Sequence, residues 1–180
     1  RVVADDVVVV SSLGGEWWAA DTRAGGDLSF SDEFGGELGA GSAVLSTTSA
    51  NADKVQLLTD RFDGTALSEI AELSYATYRD PASTGFVAGV PSINLRVDRD
   101  GDDVVDTYLV FEPYQDQGNA AVQSGVWQVW DAIRGGDALW WASHLPGCGQ
   151  ATPCTWEHIL TTWPDARVLE DPDSPVNSGS

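Results

Sequence analysis

The sequence predicts an all-β protein, an antiparallel β-sandwich or jelly roll with one short helix near its C-terminus. Two observations carry that prediction. Short β-prone runs recur along the chain: Val7 to Val10, Ala43 to Ser46, Val55 to Thr59, Glu72 to Tyr78, Ile93 to Val97, Val104 to Phe111, Val126 to Trp130 and Leu139 to Trp141. Clusters of Gly, Asp, Ser, Asn or Pro separate most of them, and strands punctuated in this way belong to sandwiches and jelly rolls. A chain of 180 residues with a hydrophobic fraction of 42% is also long and apolar enough to bury one core.

Individual runs refine the picture. Ile93-Asn94-Leu95-Arg96-Val97-Asp98 alternates, so one face is buried and the other wet. Tyr108 to Phe111 is apolar on both faces and is expected to be covered on both sides. One helix is convincing: Thr155 caps it, Trp156, Ile159, Leu160 and Trp163 share a face, and Pro164 ends it. Ser68 to Ala71 reads as a single turn. The organisation expected is an N-terminal strand over 1–12, a sandwich over 13–170 and a loop or linker over 171–180.

Charge narrows the partners. The 28 acidic residues stand against nine basic ones, for a net charge of −19. Such a surface repels nucleic acid and anionic lipid, which removes both as partners. The carboxylates are spread along the chain as a solvated surface, favoured by high salt or by abundant divalent cations. The longest pure apolar run, Val7 to Val10, has four residues against the roughly 20 needed to span a bilayer, so no membrane insertion is expected. The chain starts at Arg1 and contains no methionine, which reads as a mature or processed product with any export signal already removed.

Two cysteines, Cys148 and Cys154, stand in GCGQATPC. In an exported protein a close pair is most simply a local disulfide, and so small a loop contributes about 2 kcal/mol of chain entropy. Adding His144 and His158 gives H-x3-C-x5-C-x3-H, four possible zinc ligands. Structural zinc uses tighter cysteine spacing, about two to four residues, so the disulfide is the expectation.

LSYATYRDPAST, PSINLRVDRDGDDVVDTYLVFEPY, WQVWDA and LWWAS, followed by the cysteine loop and TWEHILTTWPDA, resemble a family of exported bacterial β-sandwich domains from about Val7 to the end. The resemblance implies a jelly roll of the lectin and carbohydrate-binding-module type, in a family without an established activity. Members of that family continue past Asn-Ser-Gly-Ser into one more strand, so the resemblance implies an open sheet edge where this sequence stops at Ser180.

The strongest chemical signal is Asp98 to Asp106. Asp98, Asp100, Asp102 and Asp106 stand at relative positions one, three, five and nine, and the Val104 carbonyl falls at seven, as in the first part of an EF-type calcium loop. Glu is missing at position twelve, where Leu109 stands, and Gly is at four instead of six. A hairpin turn using Asp and Gly for their backbone geometry is the other reading. Structural calcium is the cofactor expected if the first holds.

Eight tryptophans suggest binding surfaces. In the pairs Trp17-Trp18 and Trp140-Trp141 neighbours point to opposite faces, so one can fill the core while the other faces out. Trp18, Trp130 and Trp141 are the candidate outward indoles, for stacking on sugars or filling a subunit interface. No G-x-S-x-G, H-E-x-x-H or phosphate-binding glycine loop is present, and no catalytic residue is nominated. Glu112 ends a strand as glycosidase carboxylates do, without a second carboxylate to pair with it. Val7, Val8, Val9 and Val10 have no polar face, so this strand is buried in its own sheet or added to a neighbour's edge. The function expected is a secreted or cell-surface structural or adhesive subunit that self-associates by strand donation. A carbohydrate-binding module with a glycan partner is the alternative and a glycoside hydrolase the third.

Overall fold

The structure is a computed structural model and describes residues 12–13, 17–37, 39–48 and 50–169. The expected strand Val7 to Val10 and the linker 171–180 lie outside the described residues. The described residues form two compact units, one up to Arg61 and the other from Phe62 onward. The body expected over 13–170 spans both.

The first unit carries two small antiparallel ladders. Strand β1 (Trp17–Trp18) pairs with a strand at Leu58–Thr59, here β4, with Trp18 opposite Leu58. Strands β2 (Asp27–Ser31) and β3 (Ser42–Ser46) pair so that Leu28 meets Leu45 and Phe30 meets Ala43. Alternation with period two therefore puts Leu28, Phe30, Ala43 and Leu45 on one face, with Ser29 and Val44 on the other.

The second unit holds the larger core. Its strands are β5 (Ser74–Tyr78), β6 (Ile93–Asp98), β7 (Thr107–Phe111), β8 (Trp127–Asp131), β9 (Leu139–Ala142), β10 (Cys154–Thr155) and β11 (Arg167–Val168). Five of them form an antiparallel sheet in the order β10-β9-β7-β6-β11. Strands β5 and β8 form a separate antiparallel ladder. Short helices α1 (Pro113–Gln117) and α2 (Trp156–Thr162) complete the unit. As expected, Thr155 caps α2, its Oγ1 accepting the His158 N–H at 3.2 Å.

Pairing register decides the faces. Ile93, Leu95, Val97, Leu109, Phe111, Trp140 and Ala142 line the inner face of the five-stranded sheet. Against it lie the Tyr75 side of the β5–β8 ladder and helix α2. Tyr75 meets Phe111 edge-on at 6.2 Å, and Trp140 contacts both Phe111 and Trp156 at 5.5 and 5.2 Å. Helix α2 contributes Trp156 and Ile159 to the buried cluster. Leu109, Val110 and Phe111 are all buried, as the two-sided apolar character of that run requires.

One strand is shorter than expected. Val104, Val105 and Asp106 do not belong to β7, which starts at Thr107. The reason is Asp98, whose carboxylate gathers the N–H groups of Asp100 to Asp103 and holds 98–106 as a loop. Among the described residues no helix is long and apolar enough to cross a membrane.

Candidate cation site and aromatic corner

The loop between β6 and β7 gathers carboxylates. Asp98, Asp100, Asp102 and Asp106 each offer an oxygen, and these atoms lie within 4.8 Å of one another, a set that can hold a metal ion. Strand register places Asp98 and Asp106 at the facing ends of the hairpin, where the Asp106 N–H donates to the Val97 carbonyl at 2.9 Å. Gly101 at φ 82° and Asp103 at φ 66° let the chain fold back between them.

The four members are not equivalent. Asp98 is fully buried, and both its oxygens are taken. Oδ1 accepts N–H groups from Asp100, Gly101 and Asp102 at 3.2, 2.7 and 3.3 Å. Oδ2 accepts from Asp103 N–H at 2.9 Å and from Arg167 Nε and Nη2 at 3.0 and 2.8 Å. Burial by itself raises the Asp98 pKa; the Arg167 guanidinium and the backbone donors more than reverse this and hold it below the ordinary carboxylate range. Asp98 thus organises the loop, and Asp100, Asp102 and Asp106 carry the charge that a cation would answer. Arg99 partly does so, its Nη2 lying 3.6 Å from Asp100 and 3.9 Å from Asp106. Val104, the expected carbonyl ligand, is exposed and its N–H donates to Asp102 Oδ1 at 3.0 Å.

Cys148 and Cys154 are joined as a disulfide. Their sulfurs are therefore not thiolates, which removes the zinc reading with His144 and His158, both of them exposed.

The tryptophans divide by face. Trp140 is buried and donates its indole N–H to the Ala132 carbonyl at 2.7 Å, while Trp141 points to the other side of the sheet. Trp18 is half-buried in β1. Trp130 corrects the sequence reading. It is 2% exposed, packed in the core with its N–H on Thr77 Oγ1 at 2.7 Å, so it offers no surface to a ligand. The outward member of that strand is Trp127, half-buried against Tyr78 at 5.8 Å.

A second grouping lies where β7 runs into α1 and joins Glu112 and Trp141, which the sequence singled out separately without bringing them together. Glu112 Oε2 accepts the Trp141 indole N–H at 2.8 Å, with the Tyr114 hydroxyl and Gln115 amide at 3.4 and 3.5 Å. Phe86 packs edge-on against Tyr114 at 5.1 Å. Burial, and then the Glu112 charge, raise the pKa values of Tyr75 and Tyr114, so both phenols stay neutral across the physiological range. The only signals in the sequence were Phe111-Glu112-Pro113-Tyr114 after a strand and the Trp140-Trp141 pair.

These features define a class: a β-rich, antiparallel, disulfide-bonded chain with an acidic loop able to hold a metal ion. No protein-family model matches the sequence, and comparison with curated proteins and with solved structures finds no match either.

Proposed function

We propose that this chain is a non-enzymatic extracellular structural or adhesive domain. In this reading it self-associates when a strand from one copy adds to the β5–β8 ladder of another, and calcium in the β6–β7 loop serves as a structural ion. The observation that carries the reading is the outward side of β5–β8. Val129 is 58% exposed there, beside half-buried Trp127 and Tyr78, on a ladder of only two described strands. A two-stranded ladder is marginal alone, and its edge groups accept another strand of alternating or apolar character. Val7 to Val10 supplies four β-branched residues in a row for that purpose.

The disulfide supports an exported setting, since such bonds persist in oxidising compartments. Alternating aspartates supply the hard oxygen ligands that calcium prefers. The two-layer packing of strands in the second unit is compatible with the jelly roll that the resemblance implies. Strand donation is head-to-tail, so repeated without closure it produces a filament.

Deleting Arg1 to Ser11 tests the reading. Light scattering and electron microscopy of the intact chain are expected to reveal high-mass species that the truncated chain lacks. A synthetic peptide of that segment is expected to bind the truncated chain. An intact chain that stays monomeric at high concentration and high salt, or a truncated one that still assembles, ends the proposal.

A further inference from the structure

We propose that the corner formed by Glu112, Tyr114, Gln115, Trp141 and Phe86 is a binding site for an uncharged, hydroxyl-rich glycan. This inference is independent of self-association, since it uses none of the residues assigned to strand donation.

Two aromatic side chains, Trp141 and Tyr114, hydrogen-bond one carboxylate here, and a third ring, Phe86, packs on Tyr114. Glu112 Oε2 is fixed by the Trp141 indole at 2.8 Å, which orients both the ring and the carboxylate. The side-chain hydrogen bonds of Glu112 all go to this oxygen, which leaves Oε1 as an acceptor for a ligand hydroxyl. The Tyr114 hydroxyl and the Gln115 amide, themselves 3.4 Å apart, add groups that can both donate and accept.

Phe86 is the observation that takes this beyond an internally satisfied polar cluster. It is 53% exposed, and its neighbour Val87 is 65% exposed. The segment that carries them is pinned. The Phe86 carbonyl accepts the Gly89 N–H at 2.8 Å and a guanidinium N–H of buried Arg79 at 3.3 Å. Arg79 also holds the Ser83 carbonyl at 3.3 Å and Ser124 Oγ at 2.6 Å. A large apolar ring held in water by a tied backbone is preorganised to receive something, and the ordering entropy is already met before binding.

The chemistry selects the ligand class. Aromatic rings stack on the C–H faces of a pyranose, while carboxylate, phenol and amide take its hydroxyls. A carboxylate at the centre of the site and a net charge of −19 reject anionic ligands such as uronic or sulfated sugars.

Calorimetric titration of the full chain with cellohexaose, xylohexaose, mannohexaose and maltohexaose tests this. Binding of at least one is expected. Phe86→Ala and Glu112→Gln are each expected to weaken it by about tenfold or more, with the melting temperature unchanged. Trp141→Phe, which keeps a ring but loses the N–H to Glu112, is expected to weaken it less than Trp141→Ala. Failure of all four sugars to bind at millimolar concentration overturns the proposal, as does binding that none of the substitutions alters. Neither outcome bears on assembly, which light scattering reads separately.

Discussion

Asp98 shows how one buried carboxylate can order a whole loop. Its charge is answered by Arg167 and by four backbone N–H groups, and Arg167 extends the clamp to Asp103 at 2.7 Å. Because its pKa is lowered on folding, the stability it contributes is present in full above the ordinary carboxylate range and is lost as pH falls through the folded value. Asp98→Asn is therefore expected to lower the melting temperature by a constant amount between pH 7 and about pH 5, and the gap to narrow progressively as pH falls further. Thermal melts of both proteins across that range check it. A gap that stays constant into strong acid would mean that Asp98 acts by shape and not by charge. Trp130 offers a second lesson. Strand parity correctly separates it from Trp127, yet only packing against Thr77 and the sheet says which side is inside.

The β6–β7 hairpin is the element in which the two sequence readings meet. It is a turn built by Asp and Gly, and it also brings four carboxylates within 4.8 Å. If calcium sits there, millimolar calcium is expected to raise the melting temperature by roughly 3 to 6 °C over chelator, given a site of about 0.1 mM affinity. Asp100→Ala is expected to erase that difference, since Asp100 is an exposed member of the set and contributes only its backbone N–H, which the substitution keeps, to the Asp98 clamp. Melts with calcium, magnesium and chelator settle the matter, and superimposable curves reduce the loop to a turn. Helix α2 was legible because cap, apolar spacing and terminator all agree. Strands β10 and β11 were not, since two residues carry no period to read. Strand β2 is legible too, since Asp27-Leu28-Ser29-Phe30-Ser31 alternates cleanly, although it is not among the β-prone runs named above.

The core of the second unit rests on aromatic contacts that run from Tyr75 through Phe111 and Trp140 to Trp156. Trp140 is the middle of that chain, fully buried and bonded to Ala132. Trp140→Ala removes the largest shared contact and leaves a buried carbonyl unpaired, so a loss of about 3 to 5 kcal/mol is expected in urea unfolding. A loss below about 1 kcal/mol would mean that the two layers are held elsewhere. Charge works against this core from outside. With 28 acidic residues, self-repulsion is substantial, so added salt is expected to support both the fold and any self-association.

Composition, alternation and punctuation were enough to establish the all-β class, the capped helix, the cysteine pair and the acidic loop. Each is written in residues a few positions apart, where local backbone physics acts alone. The rest depends on contacts between distant segments. Arg167 reaches Asp98 across 69 positions, Trp130 reaches Thr77 across 53, and Trp141 reaches Glu112 across 29. Which tryptophan is buried, which aspartate is already paired and which aromatics meet around one carboxylate follow from sheet order and register. Neither is encoded in any single stretch, because a strand's periodicity specifies two faces but not the partner that covers each of them.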